Sequence, residues 1–149
     1  MEDEKNLEEG LLDPQGGRNA MERIALIAIF DALTQIAMKQ PVNVEEIISS
    51  LSEMPYEDCD PFVKEALIKT LAHYHEEVEV FNANMRKWTF DRLNRVEQAI
   101  LLLAYTHRFF MEEKSDKAVI IDVAIKQAKT YLEPKDAKFV NAILDNVLA

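Results

Sequence analysis

Glycine is almost absent from this chain, and its distribution constrains the fold more than any other feature. The sequence holds three glycines, Gly10, Gly16 and Gly17, so residues 18–149 contain none. A P-loop and a dinucleotide-binding fingerprint both need glycines at fixed positions, and tight β-hairpin turns favour them. The sequence therefore excludes those nucleotide-binding motifs from residues 18–149 and predicts an all-α fold there.

Length and composition favour one domain in a reducing compartment. A chain of 149 residues can bury a hydrophobic core in a single domain. The wholly apolar run of residues 99–105 is too short to cross a bilayer, and the acidic first 17 residues lack the apolar core of a signal peptide. The single cysteine, Cys59, cannot form an internal disulfide. We therefore expect a cytoplasmic protein with no membrane segment.

Charge divides the chain into acidic and basic segments, although the net charge is −10. Residues 1–17 carry six acids and one lysine, and residues 41–60 carry six acids and no base. Residues 86–95 and 114–138 carry a positive excess. Residues 1–17 are polar and end in DPQGG, which predicts a disordered acidic tail there. The helical domain is then expected to comprise residues 18–149.

Apolar spacing predicts a series of helices. Residues 21–38 and 95–111 are apolar on nearly every side, which is typical of central, buried helices. Pro61 with Asp60 as N-cap begins a long helix to about residue 85, and Asn43 caps a short one over residues 44–51. Two more helices are predicted, one capped by Ser115 or Asp116 and one after Pro134. The first has an inner stripe of Ile121, Ala124, Ile125, Ala128 and Leu132.

The polar residues do not form a catalytic or metal-binding pattern. His73 and His75 are two residues apart, so on a helix they face different sides and do not share a metal ion. The glutamates at 76, 77 and 79 are typical of a solvated helix face, because no base or partner accompanies them. We expect a protein that is not an enzyme and holds no metal or cofactor.

An aromatic segment, WTF at residues 88–90, interrupts the helical pattern among Arg86, Lys87 and Arg92. Aromatic rings beside cations can stack on bases and neutralise phosphates in RNA. Alternatively, the rings close the corner between two helices as a hydrophobic plug, which is the interpretation we favour for Trp88. Further on, Asp122 and Lys126 have the i, i+4 spacing of an ordinary helix ion pair.

The order of several motifs resembles the NusB family of transcription antitermination proteins. The segments that carry the resemblance are RNAMERIALIAIF at 18–30, WTFDRL at 88–93, VEQAIL at 96–101, VIIDVAIKQAK at 119–129 and KFVNAILD at 138–145. They cover most of residues 18–149 in family order. The resemblance implies a fold of two small packed helical bundles with about seven helices.

The resemblance also implies a function without catalysis. Members of this family act in antitermination of ribosomal RNA operons, where they bind the boxA element of nascent, single-stranded RNA together with the ribosomal protein NusE. The complex joins other Nus factors on RNA polymerase. Two alternatives remain: a NusB-fold interaction module that has lost RNA binding, and the NusB-like domain of certain RNA cytosine methyltransferases, which we do not favour because no methyltransferase domain follows.

Residues that match the family's RNA-contacting positions lie in the first helix and near the C-terminus. They are Arg18, Arg23, Tyr131, Lys135, Lys138 and Phe139. In this chain Glu22 stands where the family usually has arginine, and Arg23 where it usually has glutamate. Lys135 stands at an often acidic position. The resemblance predicts that the first and last helices pack side by side, which would join the four basic residues in one patch.

Three further residues match positions that face NusE in the family. Asp91 and Glu97 match its acidic positions, and Phe30 matches an aromatic near them. From the resemblance we expect a protein-partner surface that includes these three side chains.

Overall fold

Seven α-helices account for most of residues 14–149, which are the residues that the computed structural model describes. They are α1 (Pro14–Ala37), α2 (Val44–Ser52), α3 (Pro61–Ala72), α4 (Tyr74–Ala83), α5 (Arg95–Phe109), α6 (Lys117–Tyr131) and α7 (Pro134–Val147). Two 3₁₀ turns, Tyr56–Asp58 and Phe90–Arg92, lie in the connections. This range contains no β-strand, which confirms the all-α prediction.

Helix α5 lies at the centre of the molecule, as its apolar sequence predicts. Residues 99–104 are all buried, although they point in every direction around the helix axis. The helix packs against α1, α3 and α4, and also against α6 and α7. It therefore joins two groups of helices, α1–α3 and α6–α7, in agreement with the two packed bundles that the resemblance implied.

Helix α1 is the other predicted central helix, and it starts earlier than expected. Its buried residues include Ala25, Ala28, Ile29 and Ala32. It begins at Pro14, so residues 14–17 of the predicted disordered tail are helical. Proline is accommodated in a first turn because its missing N–H would have no helical partner there. The rest of the predicted tail, residues 1–13, lies outside the described residues.

The predicted caps of α2 and α3 are confirmed. The backbone N–H of Glu46 donates to Asn43 Oδ1 at 3.0 Å, and that of Phe62 donates to Asp60 Oδ1 at 2.8 Å. Each bond satisfies an N–H that the first helical turn leaves without a partner. Cys59, between these helices, is buried.

The helix predicted from Pro61 to about residue 85 is in fact two helices, because the backbone departs from helical geometry at His73 (φ −110°, ψ 15°). The break lets both halves follow the central helix. Thr70 of α3 and Glu77 of α4 each hydrogen-bond the hydroxyl of Thr106 on α5, at 2.8 and 2.7 Å. The spacing of apolar residues continues across the break, so periodicity alone could not reveal it.

The last two helices lie antiparallel, and their inner faces agree only in part with the prediction. In α7, Val140, Ile143 and Leu144 are buried. In α6 the buried residues are Ile120, Ala124, Gln127 and Ala128, whereas Ile121 and Ile125 are only half-buried. Helix α6 contacts both α5 and α7, and it therefore buries a wider face than one stripe.

Candidate nucleic-acid and partner interface

A groove of about 360 Å³ collects aromatic and charged side chains between the α4–α5 connection and α7, and we call it the aromatic groove. Its lining residues are Trp88, Arg92, Leu93, Asn94, Glu97, Lys135, Asp136 and Phe139. Trp88 is 55% exposed, and Phe139 is half-buried. The groove thus offers two aromatic side chains and two cations, the combination that binds single-stranded nucleic acid.

The plug at this corner is Phe90, and the prediction that Trp88 fills it is wrong. Phe90 is 1% exposed, and its ring stacks on that of Phe81 with centroids 5.9 Å apart. Its backbone is held on both sides: its N–H donates to Asn82 Oδ1 at 2.7 Å, and its carbonyl accepts from Gln98 Nε2 at 2.8 Å. Because Phe90 occupies the corner, Trp88 remains at the surface.

The charges in the aromatic groove are mixed. Lys135 lies 3.5 Å from Glu133, and both are exposed, so water screens this ion pair. Glu97 is 7% exposed, and Asn94 Nδ2 donates to its Oε1 at 2.9 Å. Burial, reinforced by the nearby carboxyl of Asp136, raises the pKa of Glu97. The aromatic groove therefore has cations at its edge and the nearly buried carboxyl of Glu97 at its floor.

Arg23 and Tyr131 lie in a second groove, between α1 and α6, which we call the α1–α6 groove. Arg23 is exposed, and Tyr131 is 42% exposed. The two helices are joined here by a bond of 3.4 Å from Gln127 Nε2 to the carbonyl of Glu22. The predicted pair of Asp122 and Lys126 forms beside it, with an N–O distance of 3.0 Å.

Arg18 belongs to a third groove and is already engaged within the protein. Its guanidinium lies 4.4 Å from the centroid of the Phe62 ring and 3.5 Å from a carboxylate oxygen of Glu113. This groove, which we call the His107 groove, also contains Glu65 and His107. Arg18 and Arg23 therefore line different grooves, although both lie on α1.

Lys138 lines a fourth groove, between α6 and α7, together with Lys129. The expected packing of the first helix against the last is not what the described residues show. Helix α1 packs mainly on α5, α3 and α2, and α7 packs mainly on α6 and α5. The four basic residues of the predicted patch consequently line four different grooves.

The three residues predicted to face a protein partner lie near the start of α5. Phe30 of α1 is half-buried, with its ring centroid 6.0 Å from the guanidinium of Arg95. Asp91, in the turn before α5, is exposed and accepts a hydrogen bond from the Thr89 hydroxyl. Glu97 lies in the first turn of α5 but faces the aromatic groove.

A buried acid–base pair escaped the sequence analysis. Glu22 and His107 are 4% and 6% exposed, and Glu22 Oε1 lies 3.6 Å from His107 Nδ1. Burial raises the pKa of Glu22 to about 7 and lowers that of His107. The carboxyl of Glu22 therefore lies inside the protein, whereas the neighbouring Arg23 is exposed. The available signal was spacing, since Glu22 precedes the buried Ala25 and Leu26 by three and four residues.

Glu77 is a second buried acid, and its prediction as a solvated residue is wrong. It is fully buried, and burial raises its pKa to about 9. Its Oε2 accepts from Thr106, whereas Oε1 has no hydrogen-bond partner among the described residues. Its position four residues before the buried Phe81 was the available signal.

Residues 14–149 contain neither a metal-binding cluster nor a membrane-spanning helix. Among these residues, no cluster of three or more His, Cys, Asp or Glu side chains is arranged to hold a metal ion. No helix in the same range has the length and hydropathy to cross a bilayer.

Comparison with known proteins identifies the family. The model of the NusB family matches residues 22–149. The transcription antitermination protein NusB of Geobacillus kaustophilus is 34% identical over 92 residues, covering 62% of this chain and 70% of its own length. The NusB protein of Elusimicrobium minutum is 27% identical over 134 residues, covering 89% of this chain and 93% of its own length.

A solved structure supports the same assignment. The structure of T. maritima NusB matches with a TM-score of 0.69 and 28% sequence identity, covering 88% of this chain and 89% of that one. Sequence and fold agree over nearly the whole helical domain. The chain therefore belongs to the NusB family of transcription antitermination proteins.

Proposed function

We propose that this chain is an RNA-binding adaptor in transcription antitermination. It would bind boxA-type, single-stranded RNA of ribosomal RNA operons together with the ribosomal protein NusE, and through them act on other Nus factors and RNA polymerase. NusB proteins are non-catalytic antitermination factors, which supports an adaptor instead of an enzyme. The proposal places the protein in the cytoplasm, where nascent transcripts are found.

The observation that carries this proposal is the aromatic groove. Trp88 is exposed beside Phe139, and Arg92 and Lys135 supply positive charge at the same place. Stacking of a base on one aromatic side chain contributes about 1–3 kcal/mol. Each phosphate neutralised on a single strand adds about −0.7 to the slope of log K against log salt. The overall charge of −10 opposes RNA, so binding depends on such local contacts.

The α1–α6 groove is a second candidate contact, since it combines Arg23 with the partly exposed ring of Tyr131. Arg18 is the weakest member of the predicted set, because its guanidinium is occupied by Phe62 and Glu113. We therefore expect RNA to contact the aromatic groove first and Arg23 second.

The experiment is a titration of boxA-type RNA at two salt concentrations, with and without NusE. Wild type is compared with Trp88→Ala/Lys135→Ala in the aromatic groove and Arg23→Ala/Tyr131→Ala in the α1–α6 groove. Each double variant loses one cation and one aromatic ring. Lys114→Ala, an exposed lysine outside both grooves, serves as the control for loss of charge alone.

The aromatic-groove variant is expected to bind at least tenfold more weakly, since one stacking contact alone is worth about 1–3 kcal/mol, and to show a shallower salt slope. Equal binding by wild type and both double variants would remove these grooves from the interface. If wild type does not bind RNA at low salt even with NusE, the alternative of a protein-interaction module that has lost RNA binding is correct.

The NusE arm of the titration uses Asp91→Lys. Asp91 is exposed, so the variant is expected to keep its melting temperature and to lose the gain in RNA affinity that NusE provides. Glu97 is changed to glutamine instead of lysine, because a new charge at a nearly buried position would destabilise the helix start as well. If NusE raises the RNA affinity of both variants as much as that of wild type, this partner surface is rejected.

A further inference from the structure

Residues 1–13 form an acidic segment that the proposed function does not use. They carry six acids and one lysine, and three leucines lie among the acids at positions 7, 11 and 12. The match to the family model begins only at residue 22. This segment is therefore a feature of the chain beyond the matched region, and its chemistry is both anionic and apolar.

The groove between α6 and α7, which we call the lysine groove, has the complementary chemistry. It encloses about 570 Å³, and apolar residues such as Ile125, Leu132 and Ala137 line it. Its ionisable lining residues are two exposed lysines, Lys129 and Lys138. The other three surface grooves described above each contain at least one acid. An anionic ligand with apolar side chains therefore fits the lysine groove better than any of them.

We infer that residues 1–13 of this chain dock in the lysine groove, with Glu8 and Glu9 beside Lys129 and Lys138 and the leucines against its apolar lining. This lining has no aromatic side chain on which a base could stack, so RNA would contact the groove only through phosphates at its lysines. The chain's own segment is also tethered, which raises its effective concentration to the millimolar range.

The position of α1 makes this docking possible. Helix α1 lies beside α6 at the α1–α6 groove, and α6 in turn forms one wall of the lysine groove. Glu8 lies six residues before Pro14, so an extended chain carries it up to about 20 Å from the start of α1. The 15 residues of α6 span about 22 Å, so this reach is comparable to the length of the helix that forms one wall of the groove.

Docking would regulate RNA binding, a consequence that rests on the proposed function. Lys138 belongs to the predicted RNA-binding set, so the acidic segment and RNA would compete for it. While the segment occupies the groove, RNA loses its contact with Lys138, so the apparent affinity for RNA falls as that occupancy rises.

Docking itself is tested on the full chain without RNA. A carbodiimide joins carboxylates to amines that lie in contact, and mass spectrometry of the monomer identifies the joined residues. We expect Glu8 and Glu9 to be linked to Lys129 and Lys138, and the links to diminish in high salt. Links spread equally over exposed lysines elsewhere, such as Lys87 and Lys114, or no link to the groove, would overturn the inference.

Regulation is tested by RNA titration of Glu8→Gln/Glu9→Gln. The control is Glu45→Gln/Glu57→Gln, which removes the same charge from exposed positions on α2 and the turn after it, remote from α6 and α7. We expect the first variant to bind RNA about threefold tighter or more, and the control to match wild type. Equal affinity of all three would overturn the competition. Groove links without RNA binding by any chain would support docking and reject the proposed function instead.

Discussion

Two glutamates, Glu22 and Glu77, lie inside the described part of the protein, where most other acids are at the surface. Glu22 faces His107, whereas Glu77 shares a hydroxyl network with Thr70 and Thr106. Burial raises the pKa of both carboxyls, so each binds its proton more strongly in the folded state than in the unfolded state. Folding therefore becomes less favourable as these groups ionise in the unfolded chain.

The pH dependence of stability isolates Glu77. Its pKa is about 9 when folded and 4.5 ordinarily, so the free energy of unfolding falls as pH rises from 4.5 to 9. Glu22, whose pKa is about 7 when folded, makes the free energy of unfolding fall only up to about that pH. As pH rises from 7 to 9, the free energy of unfolding of Glu77→Gln is expected to fall by about 2 kcal/mol less than that of wild type. Urea unfolding at the two pH values measures this difference. Parallel curves for the two proteins over this interval would contradict a buried, protonated Glu77.

The corner before α5 offers a matched pair of aromatic substitutions. Phe90 is buried against Phe81, whereas Trp88 is more than half exposed. We expect Phe90→Ala to cost about 3–5 kcal/mol because it leaves a cavity in the core. Trp88→Ala is expected to change the free energy of unfolding by less than about 0.5 kcal/mol, as surface substitutions usually do. A larger loss from Trp88→Ala than from Phe90→Ala would reverse the assignment of the plug.

Among the helices, α5 is the element on which both groups depend. Residues 99–104 are buried on all sides, and the helix contacts α1 and α3 as well as α6 and α7. A helix of this kind has no solvent-facing side into which a new polar group could turn. Its sequence is accordingly the least tolerant of charge in the described part of the molecule.

A single charged substitution in α5 should show that this helix does not tolerate charge. Leu102 is fully buried in α5, and Leu102→Asp is expected to cost several kcal/mol because it places an unpaired charge in the core. Ile68→Asp on α3 is the control, since Ile68 is 46% exposed and should tolerate the change far better. An unchanged melting temperature for Leu102→Asp would show that α5 is not central.

At the scale of the whole molecule, charge and grooves are distributed unevenly. The acidic segment of residues 41–60 lies with α2, on the side of the molecule formed by α1–α3. Exposed lysines lie on α6 and α7, which line three of the four grooves. A protein with a net charge of −10 can therefore offer a local cationic surface to RNA or to an acidic segment.

The sequence by itself determined the helical fold, its two central helices and most of its helix starts. The scarcity of glycine and the spacing of apolar residues are local properties of the chain. Capping residues such as Asn43 and Asp60 also act locally, on the first turn of the helix that follows. The family followed from the order of short motifs along the chain. None of these features requires knowledge of which helix packs on which.

Only the tertiary structure decided which side chains meet. It placed Phe90 instead of Trp88 in the corner, buried Glu77, and divided the predicted basic patch among separate grooves. Each outcome depends on contacts between elements distant in sequence, such as Thr106 with Glu77 or Phe62 with Arg18. Periodicity reports which face of a helix is apolar, but the neighbour that covers this face is chosen by packing across the whole chain.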